Sequence, residues 1–377
     1  TSAQALADFG GTPALDRAVA SAAARGLEIA RAWVRSDPGA AQPIIQLSQS
    51  YAQAGLPDSA VAVLRRTRAP SLEQRAAIQF ELAKHLLSTA DTAIGQFVRE
   101  TLDSMPPAVM DRVPMFTRFQ GVGTLLAAAA TTGNFALVDR VAAAFAATDR
   151  AIPEMQGLIA WNVGALKLAM GAPTTPANLA SLRAAIANID KMNPAMAGQA
   201  RYGSLSIVYF ATLATRDTEF RSTLERWAGE AALGYIEFDA LAALDRGDSA
   251  TARQLITAFP DPDSIKAARF SYGGMRTIAR AEVLARLGLP RQAARMYEAS
   301  DPRRFNVQSL AEPGYVLWVR SLADRARLWA EVGETQKAIS AYEEFLVRWR
   351  SADGPAAALR SAAQRELAAL KDPPRPR

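Results

Sequence analysis

The chain has 377 residues, of which 50% are hydrophobic, 7% aromatic and 21% charged, with a formal net charge of +6, one histidine and no cysteine. That length can bury a large core, and the lack of cysteine excludes disulfides, thiolate catalysis and sulfur-ligated metals while leaving cytoplasm and periplasm both open. The charge excess lies within residues 261–377, where bases alternate with acids at helical spacing (Arg325, Arg327, Glu331, Glu334), which reads as a solvated helical face rather than a polyanion footprint.

Strand patterning is nearly absent, alanine is abundant and breakers recur along the whole chain, so the expected class is all-α. A chain that starts at Thr1 is expected to lack the start of its gene product. "DFGGTPAL" (8–15) opens the first helix, with Thr12 as N-cap and Pro13 at the first helical position, and is not a phosphate loop. Breakers follow at Asp37-Pro38-Gly39, Gly55-Leu56-Pro57, Met105-Pro106-Pro107, Gly133-Asn134, Gly171-Ala172-Pro173, Asn193-Pro194, Gly247-Asp248, Pro260 to Pro262, Gly273-Gly274, Gly288-Leu289-Pro290, Asp301-Pro302, Gly333 and Gly354-Pro355. The segments between them have the length of ordinary helices. The longest uncharged run, Phe119 to Val138, is broken at Gly133-Asn134 and reads as a helix, a turn and the start of another helix, so no membrane span is expected. "LSIVYFATL" (205–213) is the best strand candidate but continues a helical period. Ala356 to Leu370 reads as a closing helix before a Pro/Arg tail at 371–377.

Four turns share a register: "YAQAGLPDSAVAVL" (51–64), "LDRGDSATARQLI" (244–256), "LARLGLPRQAARMY" (284–297) and "WAEVGETQKAISAY" (329–342). Each carries a glycine able to take φ > 0 (Gly55, Gly247, Gly288, Gly333) and then an alanine one turn inside the next helix (Ala60, Ala252, Ala293, Ala338). A large residue follows on the same stripe: Leu64, Ile256, Tyr297 or Tyr342. Asp58, Asp248 and Thr335 are the expected caps. This pattern resembles the tetratricopeptide repeat, a helix–turn–helix unit of about 34 residues that stacks into a right-handed superhelix. The unit at 318–350 matches best, with Leu322, Ala326 and Trp329 in its first helix and Ala338, Tyr342 and Phe345 in its second; Ala281, Leu284, Ala293 and Tyr297 match in 277–300. Ser48, Tyr51 and Ala60 match in 44–67, and Ala240, Ala252 and Phe259 in 240–259. The glycines at 247, 288 and 333 are spaced more widely than the repeat prescribes, and only Gly133 echoes the register in between. The resemblance implies a right-handed alpha-solenoid, irregular in its middle: repeats over 1–100, a degenerate helical-pair region over 101–235, and repeats with a capping helix over 236–370. The ending "AISAYEEFLVRWRSADGPAAALRSAAQRELAAL" is similar to the closing repeats of bacterial multidomain signalling proteins, which implies the repeat region of a larger assembly.

Chemistry is sparse. A Ser-His-Asp arrangement would have to use His85 and Ser88, which one helical turn separates without an oxyanion device, so His85 reads as a helical packing residue. Asp261 and Asp263 read as caps of an interhelix turn, Glu343 and Glu344 as solvated partners of Arg348 or Lys337, and Glu237 and Asp239 as acids on different faces of one helix. Arg291, Arg295, Arg303 and Arg304, with Tyr297 and Phe305 nearby, form the best polyanion stripe, but Glu298 and Asp301 interleave. No cofactor or metal is expected. The expected function is a non-catalytic scaffold that binds another protein or peptide in the concave groove lined by the first helices. Its candidate contacts are Arg276, Arg280, Arg320, Asp324, Arg327 and Glu331, with Tyr315 and Trp318 as aromatic anchors where they project outward. A helical-shell enzyme using carboxylates and a nucleic-acid-associated module are the alternatives; oligomeric state is left open.

Overall fold

The computed structural model describes residues 13–372 apart from 70, 149–152, 192–193, 230–234, 268–273, 301 and 303–312. Thr12, Asn193, Gly273, Asp301, the Arg303-Arg304-Phe305 stretch and most of the Pro/Arg tail therefore lie outside the described residues.

All regular structure among the described residues is helical. In chain order the helices are α1 (Pro13–Ser36), α2 (Ala41–Gln53), α3 (Pro57–Arg66), α4 (Leu72–Ser88), α5 (Ile94–Ser104), the single turn α6 (Pro107–Met110), α7 (Met115–Ala130), α8 (Phe135–Ala146), α9 (Pro153–Ala169) and α10 (Pro176–Asp190). They continue as α11 (Pro194–Thr215), α12 (Thr218–Ala228), α13 (Ile236–Asp245), α14 (Ser249–Leu255), α15 (Pro262–Ala267), α16 (Gly274–Arg286), α17 (Pro290–Glu298), α18 (Pro313–Glu331), α19 (Thr335–Arg348) and α20 (Gly354–Lys371). Boundaries follow local chemistry. Ser71, Asn134, Thr175, Asp217 and Asp248 each accept a backbone N–H at the start of the next helix. Two expected caps do otherwise: Leu56 and Glu334 occupy the N-cap positions, so Asp58 and Thr335 already lie inside their helices.

The shared register is a shared turn geometry. Gly55, Gly247, Gly288 and Gly333 all have φ between 71° and 79°. In each turn the next residue's N–H reaches back five positions, as from Leu289 to the Leu284 carbonyl at 3.0 Å and from Glu334 to the Trp329 carbonyl at 2.9 Å. That is the Schellman closure, which satisfies carbonyls left open at a helix end. Ala60, Ala252, Ala293 and Ala338 are completely buried, as small residues must be where two helix backbones approach. Helical pairing also runs through the middle of the chain. Gly171 closes the α9–α10 turn in the same way, while Ala90 ends α4 and Arg216 ends α11 with positive φ and no glycine.

Consecutive helices pack as antiparallel pairs, and the first helices of successive pairs stack on one another, α2 on α4, α4 on α7, α7 on α9, α9 on α11, α13 on α16 and α16 on α18. At α4 and α7 the approach is close enough that a Cβ on Gly121 would overlap the Phe80 ring. The arrangement is solenoid-like but does not stay open. α18 is apolar around most of its circumference, buries 13 of its 19 residues, and packs on α7, α9 and α11 as well as on its neighbours α16, α17 and α19. The segment after α19 fastens this contact. Trp349 is fully buried and donates its indole N–H to the Thr131 carbonyl at 3.1 Å, and the Asp353 carboxylate caps α8 by accepting the N–H groups of Phe135 and Ala136. The array thus curls until its last unit seats on the turns of units near its start.

Candidate functional site

The structure splits the expected concave site into three environments. Arg276 and Arg280, on α16, converge on Glu237 of α13, which is completely buried. Arg276 binds it with two nitrogens, at 2.8 and 3.3 Å, Tyr209 donates its hydroxyl at 2.9 Å, and the Arg280 Nε stands off at 3.6 Å. Tyr235 lies under the Arg276 guanidinium and Phe259 under that of Arg280. Burial, reinforced by the Glu237 charge, holds the Tyr209 phenol well above its ordinary pKa. Asp239 points to the other face, where it pairs with Arg221 at 2.6 Å, so the two acids diverge as their spacing requires. Arg276 and Arg280 therefore join adjacent units through Glu237.

The α18 candidates divide similarly. Arg320 donates to the Ala169 carbonyl at the end of α9, at 2.8 Å. Asp324 pairs with Arg327 at 2.8 Å and Arg327 with Glu366 of α20 at 2.9 Å; Tyr342 donates its hydroxyl to the same Glu366 carboxylate. Burial raises the Asp324 carboxyl pKa against the opposing pull of Arg320 and Arg327. Arg327 and Glu331 remain exposed. Tyr315 and Trp318 do not project outward: they are 1% and 8% exposed, with Trp318 under the Arg348 guanidinium and both rings closing a void of about 20 Å³ beside Leu86 and Ala90. The reason is that α18 is the inner helix, so the aromatic residues at its start serve as the seal between the last unit and α4.

His85 and the polar groups that face it are closed off from solvent. His85 is buried, with its Nε2 3.2 Å from the Ser48 hydroxyl and 3.6 Å from Glu81, so both partners face the same nitrogen and no relay through the ring exists. The Ser88 hydroxyl instead donates to the His85 carbonyl at 2.9 Å. Among the described residues no group of three His, Asp or Glu side chains could hold a metal ion, and no helix is long and apolar enough to cross a membrane. Asp261 caps its turn through the N–H groups of Asp263 and Ser264, Glu343 pairs with Lys371 and Glu344 with Arg348. Arg291 and Arg295 are neutralised by Glu334 and Asp263, which dissolves the described part of the polyanion stripe.

One surface feature escaped the sequence reading. Between α3, α4 and α5 lies an open depression with about 670 Å³ of free volume. Leu64, Ile78, Leu82 and Phe97 form its apolar floor, and Arg65, Arg68 and Arg75 stand on its rim. The sequence signal was the Arg65-Arg66-Thr67-Arg68 run at the end of α3, which by itself is indistinguishable from an ordinary helix C-terminus rich in bases. No protein-family model and no curated protein matches the sequence.

Proposed function

We propose that this chain is a non-catalytic helical scaffold, with tetratricopeptide-like units over 277–350, that holds another protein or a peptide segment within a larger assembly. The observation that supports this reading best is the contrast between the interior and the α3–α5 depression. Titratable groups of the inner face are spent on joining one unit to the next, whereas the depression is open, apolar at its base and rimmed by arginines. A reaction centre needs converging acid, base or nucleophile in a cleft, and His85, Glu237 and the Asp324–Arg327–Glu366 chain do not provide one. Glu331, exposed on the last unit, supplies a second contact point, where a charge-assisted bond can orient a partner.

The test is isolation of the tagged full chain from its own cells under gentle conditions, with mass measurement of the intact complex. A polypeptide recovered in fixed stoichiometry supports the scaffold reading. Recovery of the chain alone at every ionic strength tried overturns it.

A further inference from the structure

We propose that the depression between α3, α4 and α5 is a docking groove for an acidic amphipathic segment of a partner protein, an inference that rests on the scaffold reading. Charge is the first argument. Arg68 and Arg75 are exposed and have no acid within ion-pair distance among the described residues, and Arg65 reaches only Asp91, at 3.5 Å, with its side chain 55% exposed. The one acid in the lining, Glu100, already accepts from Gln96 at 2.8 Å. Several surface arginines elsewhere are paired, as in Arg140 with Asp103, Arg183 with Asp217 and Glu219, Arg221 with Asp239 and Arg226 with Asp190, whereas three stand together here against one glutamate. This local positive potential selects an anionic occupant.

The floor decides what kind of anion. Ile78 and Leu82 on α4 and Leu64 on α3 are buried beneath the opening, and Phe97 of α5 is half-buried along one wall. Such a base takes large apolar side chains, so the occupant carries carboxylates flanking one or two of them. Gln79 adds a polar contact: its carbonyl oxygen has no hydrogen-bond partner, and its amide nitrogen reaches only the Ser104 hydroxyl at 3.5 Å, so a rotation of the amide offers an acceptor to a peptide N–H. A polynucleotide fits less well, because Phe97 is the one aromatic residue in the lining and packs among aliphatic side chains instead of offering a stacking face.

The test uses the full chain and a fluorescein-labelled synthetic peptide in which Asp-Glu pairs flank Leu and Phe, read by fluorescence anisotropy. The wild type binds this peptide and not its Lys-Arg counterpart. Arg68→Glu/Arg75→Glu weakens the acidic peptide by about ten-fold or more and gains affinity for the basic one, while Phe97→Ala weakens the acidic peptide without creating affinity for the basic one. Arg68→Gln/Arg75→Gln, with the circular dichroism melt of the wild type, guards against a folding artefact and loses affinity without the swap. Equal binding of the acidic peptide by wild type and both arginine variants overturns the proposal. So does binding of oleate or of a single-stranded oligonucleotide where the peptide fails to bind. A partner that co-purifies and survives Arg68→Glu/Arg75→Glu removes the groove as its seat while leaving the scaffold reading intact. Charge-dependent peptide binding by a chain that co-purifies alone keeps the groove and removes the scaffold.

Discussion

Trp349 lies across Gly133, so close that a Cβ on the glycine would stand 2.9 Å from its Cδ2, and its indole N–H reaches the Thr131 carbonyl one turn of chain away. Gly133 also needs its φ of 69°. Trp349→Ala is expected to cost about 3–5 kcal/mol as a buried aromatic is removed. Gly133→Ala is expected to cost about 0.5–1 kcal/mol from φ once the freedom of the unfolded glycine is offset, with the clash against Trp349 added. Since both changes break the same seam, their sum in urea unfolding should exceed the cost of the double variant. Additive costs would show that the seam between the last unit and the α7–α8 turn is not where the fold is fastened.

Ala90 holds a left-handed conformation, φ 54°, at the turn after α4, and its carbonyl accepts a guanidinium N–H of Arg348. An alanine is strained there by about 1–2 kcal/mol, part of which a glycine gives back through the greater freedom of its unfolded chain. Ala90→Gly is therefore expected to stabilise the protein by about 0.5–1 kcal/mol. Gly288→Ala and Gly333→Ala should destabilise it by about as much. Thermal melts of the three variants test both signs at once.

How much of this was legible follows from where the constraint lies. The Gly288 and Gly333 turns could be read because φ > 0 and close helix approach restrict residue choice locally, to glycine and then to Ala293 or Ala338. The α4–α5 and α11–α12 turns use the same conformation at Ala90 and Arg216, where no glycine marks it, so neither turn could be read from the sequence. The closure could not be read at all. Asp353 caps a helix that starts 218 residues earlier, and nothing near Asp353 in sequence distinguishes it from a cap of its own helix. The burial of α18 did leave a trace, since "GYVLW" is apolar on successive positions and cannot face water on any side. The rim arginines left only the Arg65-Arg66-Thr67-Arg68 run, because what brings Arg75 beside them is the packing of α4 against α3.

Glu237 carries two arginines and a tyrosine on one fully buried carboxylate. Removing only the acid strands the cations, so Glu237→Gln is expected to cost about 3–5 kcal/mol. Replacing the whole set, Glu237→Leu with Arg276→Met and Arg280→Met, should recover most of that loss, because a packed apolar cluster needs no desolvated charge. Urea midpoints decide it. A triple variant as unstable as Glu237→Gln would mean that Arg276 and Arg280 bind something the apolar set cannot replace.

His85 gives the protein a pH-dependent stability whose sign can be worked out. Burial pushes its pKa below the ordinary 6.5, with Glu81 pulling the other way and Lys84 adding to the depression; Ser48 faces the same ring nitrogen as a neutral partner. The folded imidazole is thus neutral where the unfolded one begins to protonate. As pH falls through 6.5 the unfolded chain gains a proton that the folded chain refuses, and stability declines by up to about 1.4 kcal/mol per pH unit until the folded-state pKa is reached. Above 6.5 this contribution is complete and flat. Glu282 and Asp324, whose carboxyl pKa values burial raises, contribute the opposite slope at the acid end, so the useful quantity is the difference between wild type and His85→Gln. That difference should shrink as pH is lowered from 7 to 5 in urea unfolding at constant ionic strength. A difference that stays constant over the range would mean that His85 is protonated as readily inside the fold as outside it, and the sealed Ser48–His85–Glu81 contact would have to be open to water.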